Sequence, residues 1–204
     1  MVRRLLQLYI GLVLYGVSTA MFVHARLGVD PWDVFHLGVG RIFSLTIGTV
    51  MIVVGALVLL LWIPLRQRPG LGTLSNVVLI GLAADATLAL LPPVESLVVR
   101  SLLLGAAVLL NAIATGMYIG AGFGAGPRDG LMTGIHARTG WSIRAIRTAI
   151  ELTVLLAGIM MGGAFGVGTI IYALTIGPLI QLFLPWFQPA ARDKQPAVSA
   201  PAIR

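Results

Sequence analysis

Residues 27–33 read Leu-Gly-Val-Asp-Pro-Trp-Asp, and residues 123–129, which lie 96 positions later, read Phe-Gly-Ala-Gly-Pro-Arg-Asp. The same offset aligns the two halves of the chain without a gap, so that residues 5–91 and 101–187 form two repeats. Small and polar residues match as well as leucines: Thr19 with Thr115, Gly70 with Gly166, Thr73 with Thr169 and Gly81 with Gly177. Shared hydrophobicity alone does not explain such matches, so the pattern indicates a unit that was duplicated and fused.

The composition is that of an integral membrane protein. Hydrophobic residues make up 58% of the chain and charged residues 10%, with a mean hydropathy of +0.97, whereas soluble domains carry about 25% charged residues. The chain has no cysteine, which excludes disulfides, thiolate metal sites and cysteine nucleophiles. The net charge of +7 does not indicate nucleic-acid binding, because the arginines lie between apolar segments, as in membrane proteins. The lipid bilayer is therefore the expected partner.

Six apolar segments are each close to the roughly 20 residues that a helix needs to cross a bilayer. They cover residues 5–24, 46–64, 73–91, 98–120, 143–163 and 168–187. Each repeat holds three of them, and because three is odd, the two repeats would enter the membrane in opposite directions. The expected fold is all-α, with residues 1–187 forming one polytopic membrane domain of two inverted three-span repeats.

The distribution of Lys and Arg predicts the orientation. With the N-terminus in the cytoplasm, only Arg26, Arg41 and Arg100 of the 14 basic residues lie outside. The positive-inside rule therefore predicts a bacterial inner-membrane protein with both termini cytoplasmic. Residues 188–204 are rich in Pro, Ala and charge, and we expect them to form a disordered cytoplasmic tail.

A segment too short to cross follows the first span of each repeat. It begins at Gly28 in one repeat and at Gly124 in the other, with Pro and then Asp shortly after, which is a helix-start signal. Helical spacing places an acid and a histidine on one face of each short helix: Asp33 with His36, and Asp129 with His136. Two half-helices entering from opposite sides would form a central site. The alternatives are a pair of amphipathic helices lying at the membrane surfaces, where the acids complement the helix dipole, and re-entrant helices without a role in substrate binding.

Ionisable residues inside apolar spans are costly and are therefore functional candidates. Asp85 lies near the centre of its span without a basic neighbour on the same helix. It would bind a proton or substrate charge, or lock two spans together by a hydrogen bond. Glu151 shares a helical face with Arg147 and Arg144. That arrangement fits either an internal ion pair or a proton or substrate-charge site. If transport is coupled, Asp85 or Glu151 would bind the proton.

Five short motifs carry a family resemblance. They are L-G-V-D-P-W-D at 27–33, G-L-G-T at 70–73, G-P-R-D-G-L at 126–131, W-S-I-R at 141–144 and G-V-G-T at 166–169. The pattern resembles the YczE/YyaS/YitT-like bacterial membrane proteins over nearly the whole chain. The resemblance implies a bacterial inner-membrane protein with several spans, and it supplies no catalytic residues.

These features together favour a small-solute or ion transporter or facilitator with a site between the repeats. The candidate binding residues are Asp33, Asp129, Asp85, Glu151, Arg144, Arg147, His36 and His136. The alternative is a non-transporting accessory or scaffold protein that assists a biosynthetic or membrane complex. A scaffold would expose a patch of small residues and have no aqueous cavity between the repeats.

Enzymatic activity is not expected. The chain has no nucleophile elbow, its Gly-rich stretch 120–126 lacks the strand of a dinucleotide site, and its three histidines form no His-x-x-x-His pair. We therefore predict no cofactor and no metal. The substrate, the coupling ion and the formation of a homodimer stay open at this point.

Overall fold

The computed structural model describes residues 1–188. This part of the chain folds into eight helices: α1 Val2–Ala25, α2 Pro31–Phe43, α3 Ile47–Leu65, α4 Leu71–Leu90, α5 Leu97–Ala121, α6 Pro127–Thr139, α7 Ile143–Met160 and α8 Val167–Phe187. The all-α class and both short helices, α2 and α6, are as the sequence predicts. The predicted tail lies outside the described residues from residue 189 onward.

Five helices are long and apolar enough to cross a membrane: α1, α3, α4, α5 and α8. They coincide within a few residues with five of the six predicted spans. The remaining helix, α7, has 18 residues and ends at Met160, before the predicted boundary at 163. It ends early because Gly162 takes a left-handed conformation with φ of 81°. Charged residues also lower its apolar character, so composition alone does not qualify it as a span.

The outward faces of the long helices are apolar. Leu57, Leu60 and Leu61 on α3 are each more than half exposed, as are Leu102 on α5 and Leu174 on α8. A contiguous apolar surface of this kind is unfavourable in water. These faces are therefore the surface that contacts lipid.

Equivalent residues of the two repeats make the same contacts, with the donor in one repeat and the acceptor in the other. The amide of Gly72 donates to the carbonyl of Phe123 at 2.9 Å, and the amide of Gly168 donates to the carbonyl of Leu27 at 2.7 Å. Gly72 and Gly168 are equivalent positions, and so are Leu27 and Phe123. Each repeat thus donates an equivalent backbone hydrogen bond to the turn that precedes the short helix of the other repeat.

Helices α1 and α5, the first of each repeat, pack along their length in opposite directions. Near the start of α1, Arg4 Nε donates to the carbonyl of Ala121 at the end of α5, at 2.9 Å. The equivalent Arg100 Nε donates to the carbonyl of Ala25 at the end of α1, at 2.6 Å. Both arginines satisfy carbonyls that a helix end leaves without partners. The pairing is therefore antiparallel.

The short helix of each repeat packs on the second long helix of the other, α2 on α7 and α6 on α3. Glycine permits both contacts: Gly130 of α6 lies against the Trp62 ring, and Gly158 of α7 lies against the backbone of Val34 and Phe35. Trp62 and Gly158 are equivalent positions, as are Val34 and Gly130. A glycine thus permits each contact, on the short helix α6 in one case and on the long helix α7 in the other.

Candidate functional site

The N-termini of α2 and α6 lie close to each other, and their caps differ. Each helix begins with a proline at its first position. The Asp30 carboxylate caps α2, with Oδ1 accepting the amides of Trp32 at 2.8 Å and Asp33 at 2.9 Å. The equivalent residue at α6 is Gly126, which provides no side-chain cap. A carboxylate at a helix N-terminus is stabilised by both the amides and the dipole, so α2 has an anionic N-cap that α6 does not have.

A sharp turn precedes each short helix and fixes its position. Gly28 and Gly124 adopt φ of 110° and 124°, where an L side chain is strained. A Cβ on Gly28 would lie 2.7 Å from Thr169 Oγ1, and one on Gly124 would lie 2.7 Å from Thr73 Oγ1. Each turn is therefore clamped against the first turn of α8 or α4 in the other repeat.

Arg128 joins the two short helices. Its Nη1 lies 3.7 Å from Asp30 Oδ1, and its Nη2 lies 3.9 Å from Asp33 Oδ1. The guanidinium carbon lies 4.7 Å from the Trp32 ring centroid, in cation–π geometry. Asp30 and Asp33 are 2% and 0% exposed, and a buried carboxylate requires such a counter-charge. Arg128 was not among the predicted site residues.

Asp33 and His36 meet as their spacing predicts. His36 Nδ1 lies 2.9 Å from Asp33 Oδ1, and both residues are buried. Asp33 Oδ2 is also buried, and it has no hydrogen-bond partner within the part of the chain that the structure describes. The Thr19 hydroxyl of α1 is in the same condition. Asp33 is therefore the fully buried member of the cluster that it forms with His36 and Arg128.

Asp129 has a different environment from its counterpart Asp33. It is exposed and lines a cavity, and its Oδ2 accepts a hydrogen bond from the Tyr118 hydroxyl at 3.3 Å. Among residues 1–188, no basic side chain lies within 4.0 Å of its carboxylate. His136, predicted on the same face, is exposed and its Nδ1 instead contacts the Trp141 carbonyl at 2.6 Å. Asp129 is thus a carboxylate that has no basic partner.

The cavity has a volume of about 230 Å³ and lies between the two repeats. Its charged wall consists of Asp30, Asp129, Glu151, Arg128 and Arg147. Its aromatic wall consists of Tyr15, Trp32, Tyr118 and Tyr172. Concave sites with an apolar wall and a few converging polar groups are typical of small-molecule binding. Within the described residues, no three His, Cys, Asp or Glu side chains converge as a metal site would require.

Arg147 and Glu151 form an ion pair on the α7 side of the cavity. Arg147 Nε donates to Glu151 Oε1 at 2.8 Å, with side chains 51% and 32% exposed. Because the pair is accessible, its contribution to stability is small. Arg144, predicted on the same face, is exposed and is not within ion-pair distance of an acid in the described chain. Of the three residues predicted to share this face of α7, Arg147 and Glu151 line the cavity and Arg144 does not.

Asp85 lies away from this cavity. Its Oδ1 accepts the amide of Gly48 at 2.8 Å, and its Oδ2 accepts the Thr46 hydroxyl at 2.5 Å. These groups belong to the N-terminus of α3, where Thr46 is the N-cap. The carboxylate therefore ties α4 to the start of α3, and this contact is the interhelical hydrogen bond that the sequence offered as one alternative.

Comparison with known proteins adds the family. Residues 2–185 match the family described as "Family of unknown function (DUF6198)". The chain is 37% identical over 177 residues to an uncharacterized protein of Haemophilus influenzae, covering 87% of this chain and 81% of that protein. It is 36% identical over 179 residues to the "Uncharacterized membrane protein YczE" of Bacillus subtilis, covering 87% and 83%. The identity to "Uncharacterized protein YyaS" of Bacillus subtilis is 24% over 180 residues, covering 86% and 90%.

These similarities confirm the resemblance drawn from the sequence motifs. No solved protein structure matches the chain. The likeness to a membrane protein agrees with the five long apolar helices. A multi-pass membrane protein is the conclusion that both observations support.

Proposed function

The chain belongs to the DUF6198 family of unknown function, and we propose that it transports or facilitates the passage of a small solute across the bacterial inner membrane. The observation that carries this proposal is the cavity of about 230 Å³ between the repeats. Charged residues near the middle of a membrane protein are energetically costly, so their presence there favours a functional role. Here they come from both repeats and converge on one space. A scaffold protein would require no such cavity.

The proposed architecture is six spans in two inverted repeats. The antiparallel packing of α1 and α5 supports inversion, because equivalent helices then cross in opposite directions. Helix α7 is equivalent to α3 and would be the sixth span. Its 18 residues rise by about 27 Å, close to the roughly 30 Å of the hydrocarbon core. Arg147 and Glu151 would face the cavity rather than lipid.

Re-entry of the two short helices follows from the same architecture. In an inverted arrangement, α2 and α6 enter from opposite sides, and helices lying on the two surfaces would be separated by about 30 Å of hydrocarbon. Arg128 at the start of α6 instead lies 3.7 Å from Asp30 at the start of α2. This distance supports helices whose N-termini meet at the middle of the membrane.

The residues proposed for solute contact are those on the cavity wall. Asp129, Arg128, Glu151 and Arg147 contribute charge there. If transport is proton-coupled, Glu151 is the better candidate, because Asp85 is engaged at the α3 N-terminus. The predicted orientation, with both termini cytoplasmic, is retained as part of the proposal.

The test is solute flux into liposomes that contain the purified full chain. A panel of small neutral, cationic, anionic and zwitterionic solutes is compared with empty liposomes. Val54 lies on the cavity wall, whereas its neighbour Val53 faces outward and is 49% exposed. We expect Val54→Trp to abolish the flux by filling the cavity and Val53→Trp to leave it unchanged. Flux no greater than in empty liposomes, or equal flux in both variants, would count against transport.

A further inference from the structure

We propose that the solute is a small zwitterion with an apolar body, of the class of the apolar α-amino acids. In this arrangement Arg128 and the Trp32 indole N–H bind the carboxylate, and Asp129 binds the ammonium group. The inference rests on the proposed function and specifies its substrate. It is carried by the Trp32 N–H, which has no partner among the described residues, and by a cation, Arg128, and an anion, Asp129, that line the same cavity.

Trp32 contributes a donor that needs an acceptor. The residue is 6% exposed and lies on the cavity wall. Its Nε1 has no hydrogen-bond partner within residues 1–188, although buried indole N–H groups are normally paired. Trp62, also buried, shows the ordinary condition, because its Nε1 donates to the Pro127 carbonyl at 3.0 Å. A solute acceptor that reaches the Trp32 N–H would supply the kind of hydrogen bond that Trp62 already makes.

Arg128 provides further donors beside Trp32. Its distances of 3.7 and 3.9 Å to Asp30 and Asp33 are attractive by charge, but charge-assisted hydrogen bonds are about 2.7–2.9 Å long. A guanidinium has five N–H donors, and 27% of this side chain remains accessible. The Arg128 guanidinium and the Trp32 ring lie in contact. Together they form a donor surface that suits a carboxylate.

Asp129 provides the opposite charge one residue along the chain. Its carboxylate lines the cavity and accepts only the Tyr118 hydroxyl among the described side chains. Arg128 and Asp129 both lie in the first turn of α6. A cation and an anion from the same helical turn therefore line one cavity, and a small zwitterion carries both complementary charges.

The rest of the cavity accommodates an apolar body. Met51, Val54 and Val58 of α3 line one part of it, and Ile176 and Ile180 of α8 line another. Its volume of about 230 Å³ is smaller than the roughly 300–1,000 Å³ typical of drug-sized ligands. A solute with a short aliphatic side chain fits both the size and the composition of this wall.

Solutes of a single charge fit less well. A simple anion would meet Asp129 and Glu151 on the same wall as Arg128. A simple cation would leave the Trp32 donor without an acceptor. Specificity of this kind arises when a site's polar groups stay unpaired with the wrong ligand.

The test measures binding of three matched compounds to the detergent-purified full chain by calorimetry. L-leucine carries both charges, L-leucine methyl ester carries only the ammonium, and N-acetyl-L-leucine carries only the carboxylate. We expect wild-type protein to bind leucine at least tenfold more tightly than either derivative. Equal affinity for leucine and one derivative, or no binding of leucine at millimolar concentration, would overturn the assignment.

Two variants assign the groups. Trp32→Phe removes the N–H but keeps an aromatic ring, and it should weaken leucine binding at least tenfold while leaving the methyl ester unaffected. Asp129→Asn should weaken leucine binding and leave the N-acetyl derivative unaffected. The derivative that remains bound shows that the variant is folded. Leucine binding unchanged in both variants would reject these contacts.

Uptake of labelled leucine by liposomes separates this inference from transport itself. Leucine binding without uptake would keep the zwitterion site and reject the transporter. Flux of another solute class without leucine binding would keep the transporter and reject the zwitterion site.

Discussion

Arg128 stacks on Trp32, the residue at its own equivalent position in the other repeat, with its guanidinium carbon 4.7 Å from the ring centroid. Two equivalent positions of the repeats are therefore in direct contact. The backbone there is duplicated, while the side chains are a cation and an aromatic ring. The difference between these two side chains makes the contact a cation–π pair, worth about 0.5–2 kcal/mol in proteins.

Removing the Arg128 charge should destabilise the fold. Arg128→Gln leaves the buried Asp30 and Asp33 without a cation, and breaking a buried pair in this way costs about 3 kcal/mol. Arg128→Lys keeps the charge and should cost less. Thermal unfolding in detergent measures both. The double variant Arg128→Gln, Asp33→Asn should recover part of the lost thermal stability, because it also removes one of the unpaired carboxylates. A double variant less stable than Arg128→Gln alone would contradict the ion-pair explanation.

The two glycine turns should be equally intolerant of a side chain. Gly28→Ala and Gly124→Ala each combine positive φ with a Cβ 2.7 Å from a threonine hydroxyl, so we expect a marked loss of stability in both. Gly105 is the matched control, because nothing lies within 4 Å of its Cβ position on α5. Gly105→Ala should stabilise the helix by about 0.5–1 kcal/mol. Unfolding temperatures of the three variants test this order.

Asp85 and Asp129 should separate stability from transport. Asp85→Ala removes the carboxylate that accepts the Gly48 amide in the first turn of α3, and losing a side-chain acceptor at a helix N-terminus costs about 0.5–2 kcal/mol. We expect lower thermal stability with solute flux unchanged at a temperature where the protein is folded. Asp129→Asn should show the reverse, with lost flux and near-normal stability. Loss of flux in a folded Asp85→Ala protein would move the solute path toward α4.

The absence of cysteine from the chain permits a direct test of topology. Single cysteines are placed at Pro69, Glu95, Thr139 and Phe165, which are exposed residues between helices or at a helix end. A membrane-impermeant maleimide on intact cells should label Glu95→Cys and Phe165→Cys. Pro69→Cys and Thr139→Cys should require permeabilised cells. If Phe165→Cys behaves like Thr139→Cys, α7 does not cross and the six-span architecture is wrong.

The local elements could be predicted because their causes are local. Apolar runs produce the long helices, and the Gly and Pro residues at 28–31 and 124–127 produce the breaks before α2 and α6. The end of α7 at Met160 is harder to predict from the sequence, because apolar residues continue beyond the glycine that terminates the helix. The offset of 96 predicted that two equivalent units exist, and the contacts in the structure are indeed duplicated.

The candidate site was predictable only in part. The spacing of three residues brought Asp33 to His36, and the spacing of four brought Arg147 to Glu151, since a helix sets these distances by itself. The same reasoning grouped Asp129 with His136. The tertiary structure instead directs His136 to the Trp141 carbonyl beyond the end of α6.

Arg128 and Asp85 show where sequence reasoning stopped. Arg128 is not among the site residues predicted from the sequence, although the repeat contains a signal: a charged residue stands where the other unit has Trp32. Asp85 drew attention by its depth in an apolar segment, and its partners proved to be Thr46 and Gly48 on another helix. Depth indicates that a polar group needs a partner, but it does not identify the partner.

The sequence by itself determined a membrane protein made of two equivalent units, each with a broken, short helix after its first span, because hydrophobicity, glycine and proline act over a few residues. The tertiary structure decided which helices of one repeat pack on which helices of the other. It seated α2 on α7 and α6 on α3, brought Arg128 to Asp30 and Asp33, and left Asp129 facing the cavity. These outcomes depend on contacts between residues about 100 positions apart, whose energies arise only when the two units pack together.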